Sequence, residues 1–147
     1  MKTYDPKKYT CVFAGVNLNK GLADGTWIKI APAAPRFSSK AGVDGEVVRT
    51  RRHDSRRMVE FTTMQTSDVN DRLSSIFAAD IAAEAGEGVG SFLLQDRNGT
   101  TTVEGVAYIS QEPDLELGVE AGTRTWKLEL VDGDATHGSN ADSAAAV

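Results

Sequence analysis

The sequence predicts a mainly β fold: an antiparallel β-barrel or sandwich with one amphipathic α-helix at about residues 67–85 and a long protruding hairpin. Apolar and polar residues alternate with a period of two along most of the chain, which is typical of half-buried strands. Clusters rich in Gly, Asn, Asp and Pro separate these segments. At 147 residues the chain fits one domain, which we assign to residues 1–132. We expect 133–147 to form a flexible, small-residue tail.

The alternation predicts the strands that precede the helix. Residues 10–16 form the first strand and residues 26–30 the second. Pro32 and Pro35 end the second strand, because proline cannot donate to a sheet ladder. Residues 58–66 alternate clearly. Both faces of that segment carry apolar atoms, so the sequence leaves open which of them meets the core.

The helix is predicted from its caps and its apolar stripe. Thr66 or Ser67 can serve as the N-cap, and Gly86 is placed to end the helix in a left-handed conformation. Helical spacing puts five apolar residues on one stripe that must pack on the sheet or barrel. These residues are Val69, Leu73, Ile76, Phe77 and Ile81.

Further strands are predicted after the helix. Residues 91–95 and 101–106 flank the Asn-Gly pair at 98–99, a strong hairpin signal. Residues 115–117 are a candidate short strand. The last strand covers 124–131, where apolar and polar residues alternate again.

The composition excludes several classes of protein. A net charge of −5 argues against a general nucleic-acid binder, which normally carries a basic surface. The sequence has no apolar run long enough for a membrane-spanning helix. The N-terminus lacks the apolar core of a signal peptide, so we expect the protein to be made and kept in a cytoplasm. The single cysteine, Cys11, lies in an apolar run and is interpreted as a small buried hydrophobic residue.

No residue pattern predicts catalysis or a cofactor. The glycine-rich segment 86–90 follows a helix and precedes a strand, the reverse of a phosphate-binding loop. His53 and His137 have no second ligand at metal-binding spacing. We therefore predict no enzyme activity, no cofactor and no metal.

The most informative stretch is 40–73, a polar, arginine-rich excursion that leads directly into the helix. Residues 36–57 are predicted to form a long hairpin or an extended loop, with Asp44-Gly45 as a turn candidate. One interpretation is a solvated loop whose ion pairs contribute about 0–1 kcal/mol each. Another is an interface in which arginines pair with carboxylates of a neighbouring copy. We favour this interface over both the solvated loop and a phosphate-binding site. The candidate inter-subunit residues are Lys40, Asp44, Glu46, Arg49, Arg51, Arg52, Arg56 and Arg57.

The order of these features resembles the tail tube proteins of contractile-tailed (myovirus-like) bacteriophages over roughly residues 1–130. The residues that carry the resemblance are 1–8 (MKTYDPKK), 21–30 (GLADGTWIKI), 42–49 (GVDGEVVR), 65–67 (QTS), 70–73 (NDRL), 94–101 (LQDRNGTT) and 124–128 (RTWKL). The residues after Asp132 match no motif of that family.

The resemblance implies a structural role. Six copies would form a ring whose inner strands join into one barrel, and rings would stack into a hollow tube inside the sheath. The hairpin at 36–57 would reach the next ring. The implied partners are further copies of the chain, the tail sheath, tape-measure, baseplate and tail terminator proteins, and double-stranded DNA that passes through without specific binding; no membrane is implied. The implied location is the virion tail, assembled in the host bacterial cytoplasm.

A further hypothesis concerns the tube lumen. Part of the acidic excess, including Glu60 and Glu129, would line the lumen, repel DNA phosphates and let the genome slide during ejection. Two alternatives stay open at this point. One is the tube subunit of a tailocin or type VI secretion-like machine, and the other is a monomeric ligand- or nucleic-acid-binding β-barrel module.

Overall fold

The computed structural model describes residues 1–140. This part of the chain begins with a 3-10 turn, Pro6–Lys8, and continues with strands and one α-helix. The elements are β1 (Tyr9–Phe13), β2 (Val16–Asn17), β3 (Ile28–Pro32), β4 (Phe37–Ala41), β5 (Val47–Arg51), β6 (Arg57–Met64), α1 (Val69–Ala82), β7 (Gly90–Asp96), β8 (Thr102–Gln111) and β9 (Thr123–Thr136).

Seven of the strands described in residues 1–140 form one antiparallel sheet in the order β2-β1-β7-β8-β9-β6-β3, and β4 and β5 form a separate hairpin. Aromatic side chains from near the two ends of the large sheet pack against each other. The ring of Tyr9 in β1 lies 6.0 Å from that of Trp27, just before β3, and Trp27 packs edge-on against Phe61 at 6.4 Å. The predicted mainly β, barrel-like or sandwich-like fold is confirmed.

Alternate residues of each long strand face the interior of the coiled sheet. In β6 the inward residues are Val59, Phe61 and Thr63, all fully buried, which settles the face that the sequence left open. The same alternation buries Phe92 in β7 and Trp126 in β9. Burial of these large side chains removes apolar surface from water and supplies the main stabilisation of the fold.

Most of the predicted strands are present, but their first and last residues differ from the predicted ones. The first predicted strand is divided between β1 and β2, because Ala14 and Gly15 adopt positive φ and turn the chain. The hairpin around Asn98-Gly99 is present as β7 and β8. The predicted strand at 115–117 is wrong, since this segment pairs with no other strand of the described chain.

The helix is confirmed but shorter than predicted. Its N-cap is Asp68, whose side chain makes no capping hydrogen bond, and its C-cap is Ala83. Gly86 has φ +70° as expected, yet it lies in a later turn and does not end the helix.

Burial decreases along the helix, so the predicted core stripe is correct only in part. Val69 and Leu73 are buried, and Ile76 and Phe77 are half-buried against the core. Ile81 is 70% exposed, and its assignment to the core face is wrong. The physical reason is that the first two turns cover the barrel interior, whereas the last turn lies beyond it.

A buried polar network fastens the first helical turn to the sheet. Thr63 Oγ1 and Trp126 Nε1 both donate to Asn70 Oδ1, each at 2.9 Å. Asn70 Nδ2 donates to the carbonyl oxygen of Met64 at 3.1 Å. Because Asn70 is only 4% exposed, these bonds satisfy groups that water cannot reach.

The last strand extends beyond its predicted end. Asp132 adopts φ +52° at an irregularity in the β8–β9 pairing, after which β9 continues to Thr136 and pairs with the start of β8. Gly133 is buried there, and a Cβ at this position would lie 2.6 Å from Leu130 Cδ2. The predicted tail boundary at 133 is therefore wrong, since 133–136 are part of the sheet. Residues 141–147 lie outside the described residues.

No helix described in residues 1–140 is long and apolar enough to cross a membrane.

Replacing Asn70 by alanine tests the polar network. We expect Asn70→Ala to lower the free energy of unfolding by about 2–4 kcal/mol, because Trp126 Nε1 and the Thr63 hydroxyl lose their acceptor inside the core. The melting temperature should fall by roughly 5–15 °C. Ser74→Ala, at an exposed position of the same helix, is the matched control for urea unfolding. A loss for Asn70→Ala no larger than that of the control would show that the network contributes little.

Candidate assembly surfaces

The arginine-rich segment forms a regular hairpin that stands apart from the large sheet. Strands β4 and β5 pair in register from Phe37 opposite Arg51 to Ala41 opposite Val47. All ten residues of the two strands are exposed. The hairpin is thus a projection whose two faces are both open to contact.

A tight loop closes the hairpin at the predicted place. Gly42 N donates to the carbonyl oxygen of Glu46 at 2.7 Å, and Gly45 N donates to that of Gly42 at 3.0 Å. Gly45 adopts φ +87°, a conformation that residues with a side chain rarely take. Asp44 Oδ1 accepts from Glu46 N at 3.2 Å, so the acidic tip is locally ordered.

One face of the hairpin stem carries two arginines over an aromatic ring. The guanidinium carbon of Arg49 lies 4.5 Å from the centroid of Phe37, and that of Arg51 lies 5.4 Å away. These are cation–π distances, which hold the guanidinium groups without using up their N–H donors. Both ion pairs found in residues 1–140 involve Arg56, so no carboxylate within that range lies within 4.0 Å of the Arg49 or Arg51 guanidinium nitrogens.

Arg56 is engaged within its own chain at the base of the hairpin. Its Nε and Nη2 donate to the two carboxylate oxygens of Asp54, each at 3.0 Å, and its Nη1 donates to Glu129 Oε1 at 3.2 Å. The other Glu129 oxygen accepts from the Tyr108 hydroxyl. Arg57 begins β6 and pairs with Pro32 and Leu130 as part of the large sheet.

The structure thus separates the eight predicted inter-subunit residues into two groups. Those on the projecting hairpin, or directly after it, are Lys40, Asp44, Glu46, Arg49, Arg51 and Arg52. Those at its base in the large sheet are Arg56 and Arg57. Arg56 is paired within its own chain and fixes the hairpin to the barrel, and its role in pairing with a neighbouring copy stays a prediction.

The ion pair shifts the titration of Asp54. Hydrogen bonds from Arg56 favour the ionised carboxylate and lower the pKa of Asp54 from 3.8 to about 2. The acceptor Glu129 raises the pKa of Tyr108, since the hydrogen bond requires a protonated phenol. Asp54 therefore stays ionised and Tyr108 stays protonated throughout the neutral pH range.

The outward face of the large sheet mixes both signs of charge. Glu60 in β6 lies in register between Lys29 in β3 and Lys127 in β9. Glu129 lies between Met58 and Tyr108, and its side chain is 13% exposed because Arg56 covers it. Both predicted lumen carboxylates are on this outward face, and each has a basic residue as a neighbour.

The described chain offers little for chemistry. Cys11 is fully buried, and burial raises the pKa of its thiol to about 12, which opposes formation of the reactive thiolate. Residues 1–140 contain no group of three or more His, Cys, Asp or Glu side chains that could hold a metal ion.

Sequence reasoning missed three residues of these surfaces. Asp54 had a local signal, since it stands two positions before the arginine that it binds. Phe37 and Tyr108 had no such local signal. They contact Arg51 and Glu129 only across strand pairs, and the sequence does not reveal the register of those pairs.

Proteins of phage and gene transfer agent particles are similar to this chain. No known protein-family profile matches the chain. The chain is 24% identical over 144 residues to "Structural protein ORF10" of Pseudomonas phage KPP10, which covers 94% of this chain and 83% of that protein. Its fold is similar to that of a chain from the virion of a native gene transfer agent particle, with a TM-score of 0.55 at 11% identity, covering 92% of this chain and 100% of the other. The sequence similarity supports a phage structural protein, and the structural similarity supports the fold.

The Asp54–Arg56 pair predicts a pH dependence. A carboxylate whose pKa is lowered on folding stabilises the folded state above its ordinary pKa, and this contribution is lost as the pH falls from about 3.8 to about 2. We expect Arg56→Gln to return the pKa of Asp54 towards its ordinary value, as measured by NMR titration of the carboxyl carbon. Arg72→Gln, at an exposed helix position, should leave the titration unchanged. A midpoint near 4 in the unmutated protein would contradict the pairing.

Proposed function

We propose that this chain is the tube subunit of a phage tail, which assembles into hexameric rings that stack into a hollow tube inside a contractile sheath. The observation that carries the proposal is the exposed hairpin. A two-stranded hairpin is at best marginally stable in water on its own. Here it also exposes Val47 and Val48, which are 64% and 59% accessible. Contact with another subunit would bury these side chains and engage the free donors of Arg49 and Arg51.

The edges of the large sheet support ring formation. Strand β3 pairs with β6 on one side and has no strand on its other side within the described chain, and β2 at the opposite edge is two residues long. An unpaired edge invites pairing with another chain, and a closed ring satisfies every edge without leaving a growing aggregate. The ring would therefore use the edges, and the stack would use the hairpin.

The outward sheet face is the proposed lumen wall. This face carries Glu60 and Glu129 together with lysines, so its charge is mixed. Because Glu129 is already covered by Arg56, Glu60 would be the main carboxylate to meet the DNA. A wall without a continuous basic stripe would let double-stranded DNA pass without specific binding.

The remaining partners follow from the tube. The sheath would surround it, a tape-measure protein would set its length, and the baseplate and terminator would close its ends. The similarity to a phage structural protein favours a genome-delivering tail, assembled in the host cytoplasm, over a tailocin or type VI secretion-like tube.

Negative-stain electron microscopy at two protein concentrations tests the assembly. We expect sixfold rings that stack into hollow tubes as the concentration rises. Replacing residues 40–48 with Asn-Gly would join Ser39 to Arg49 through a two-residue turn and shorten the hairpin. This variant should keep its fold by circular dichroism and form rings without tubes. Monomers at every concentration would contradict self-assembly, and tubes from the shortened variant would contradict the role of the hairpin.

Phage carrying Glu60→Lys test the lumen wall. The substitution adds a cation between Lys29 and Lys127, so DNA phosphates should bind the wall and genome ejection should slow. Glu84→Lys makes the same charge change near the end of the helix and serves as the control. Unchanged ejection kinetics for Glu60→Lys would rule out this face as the lumen.

A further inference from the structure

A second exposed surface lies in the loop between β8 and β9, residues 112–122. This acidic loop contains four carboxylates and no basic residue: Glu112, Asp114, Glu116 and Glu120. Its apolar side chains point away from the core. Leu115 is 73% exposed, Leu117 76% and Val119 fully exposed. Adjacent carboxylates and exposed leucines form a surface suited to a partner that is both basic and apolar.

The acidic loop is attached to the barrel at a defined point. Gln65, just after β6, exchanges two hydrogen bonds of 2.9 Å with Gly122, one through its backbone N–H and one through its side-chain oxygen. Its side-chain nitrogen also approaches the carbonyl oxygen of Glu116 at 3.4 Å. The loop is therefore presented from the end of β6 in a fixed place.

The acidic loop and the hairpin lie at opposite ends of the same two strands. In the β6–β9 pair, Arg57 is opposite Leu130 and Met64 is opposite Thr123. The hairpin enters β6 at the Arg57 end, and the acidic loop enters β9 at the Thr123 end. Seven residue steps of β6 separate them by roughly 23 Å. The points at which the two segments leave the sheet are therefore far apart within one chain.

We propose that the acidic loop of one copy is the docking surface for the hairpin of the next copy along the stack, an inference that rests on the proposed stacked-ring function. The charges are complementary, because the hairpin stem presents Arg49, Arg51 and Arg52 and the loop presents carboxylates. The apolar side chains also match, with Val47 and Val48 on the hairpin and exposed leucines on the loop.

Two grooves flank the acidic loop. A groove of about 200 Å³ on one side of the loop is lined by Glu112, Asp114 and Glu116 with Lys127. A groove of about 150 Å³ on the other side is lined by Glu112 and Asp114 with Arg124. Because carboxylates outnumber basic residues in both grooves, the grooves suit the arginines of the hairpin stem. Such a contact joins two different surfaces head to tail and does not close, so it extends into a filament.

Charge reversal on each surface tests the docking. We expect Arg49→Glu/Arg51→Glu, and separately Asp114→Lys/Glu116→Lys, to reduce the pelleted tube fraction at least about tenfold, since like charges then face each other. In a mixture of the two variants every contact between unlike copies is complementary, and a single chain with all four substitutions restores every contact. The four-substitution chain should recover tubes. Glu84→Lys/Glu87→Lys, with the same change of charge elsewhere, should assemble normally.

The outcomes separate this inference from the proposed function. If reversal on the hairpin abolishes stacking and reversal on the loop does not, the hairpin docks elsewhere and the inference is overturned while the tube stands. Loss in both variants without recovery in the four-substitution chain also overturns direct pairing. Failure of the unmutated protein to form rings or tubes counts against the proposed function itself.

Cross-linking gives an independent readout of proximity. Cys11 is fully buried, so cysteines introduced at Val47 and Leu117 would be the reactive thiols. With a short bis-maleimide, tubes of the doubly substituted protein should give a ladder of covalent oligomers, and either single variant should give far less. Absence of the ladder from intact tubes would exclude the proposed contact. Cross-links to a sheath or tape-measure protein in purified phage tails would instead identify another occupant of the loop.

Discussion

The side chain of Asn70 connects the helix, β6 and β9 at one end of the barrel. Its amide oxygen accepts from Thr63 and Trp126, and its amide nitrogen reaches the end of β6. Because these groups are buried, each would carry a desolvation cost without its partner. The network therefore couples the position of the helix to the two strands that carry the exposed surfaces.

The paired strands β6 and β9 hold the hairpin and the acidic loop at a fixed separation. The hairpin projects from one end of the pair, where Arg56 ties Asp54 to Glu129 and so anchors the hairpin to β9. The acidic loop projects from the other end, where Gln65 holds it. A rigid spacer with different surfaces at its ends is the geometry that head-to-tail association requires.

The net charge of −5 does not show that basic and acidic side chains lie on different surfaces. Basic side chains are concentrated on the hairpin stem, acidic ones on the loop, and mixed charges on the outward sheet face. Ion pairs that are complete within the chain, such as Arg56 with Asp54, stabilise the local structure. Arginines held over Phe37 keep their donors free for another molecule.

The sequence by itself determined the fold class, the helix, the hairpin at 36–57 and its turn at Asp44-Gly45, because periodicity and turn chemistry are local properties. Only the tertiary structure decided that Ile81 is exposed, that 133–136 extend the last strand and that Arg56 pairs within its own chain. Each of these depends on where one element ends relative to another, or on the register between strands distant in sequence. The separation of the hairpin from the acidic loop was decided in the same way, since only the β6–β9 pairing places them at opposite ends.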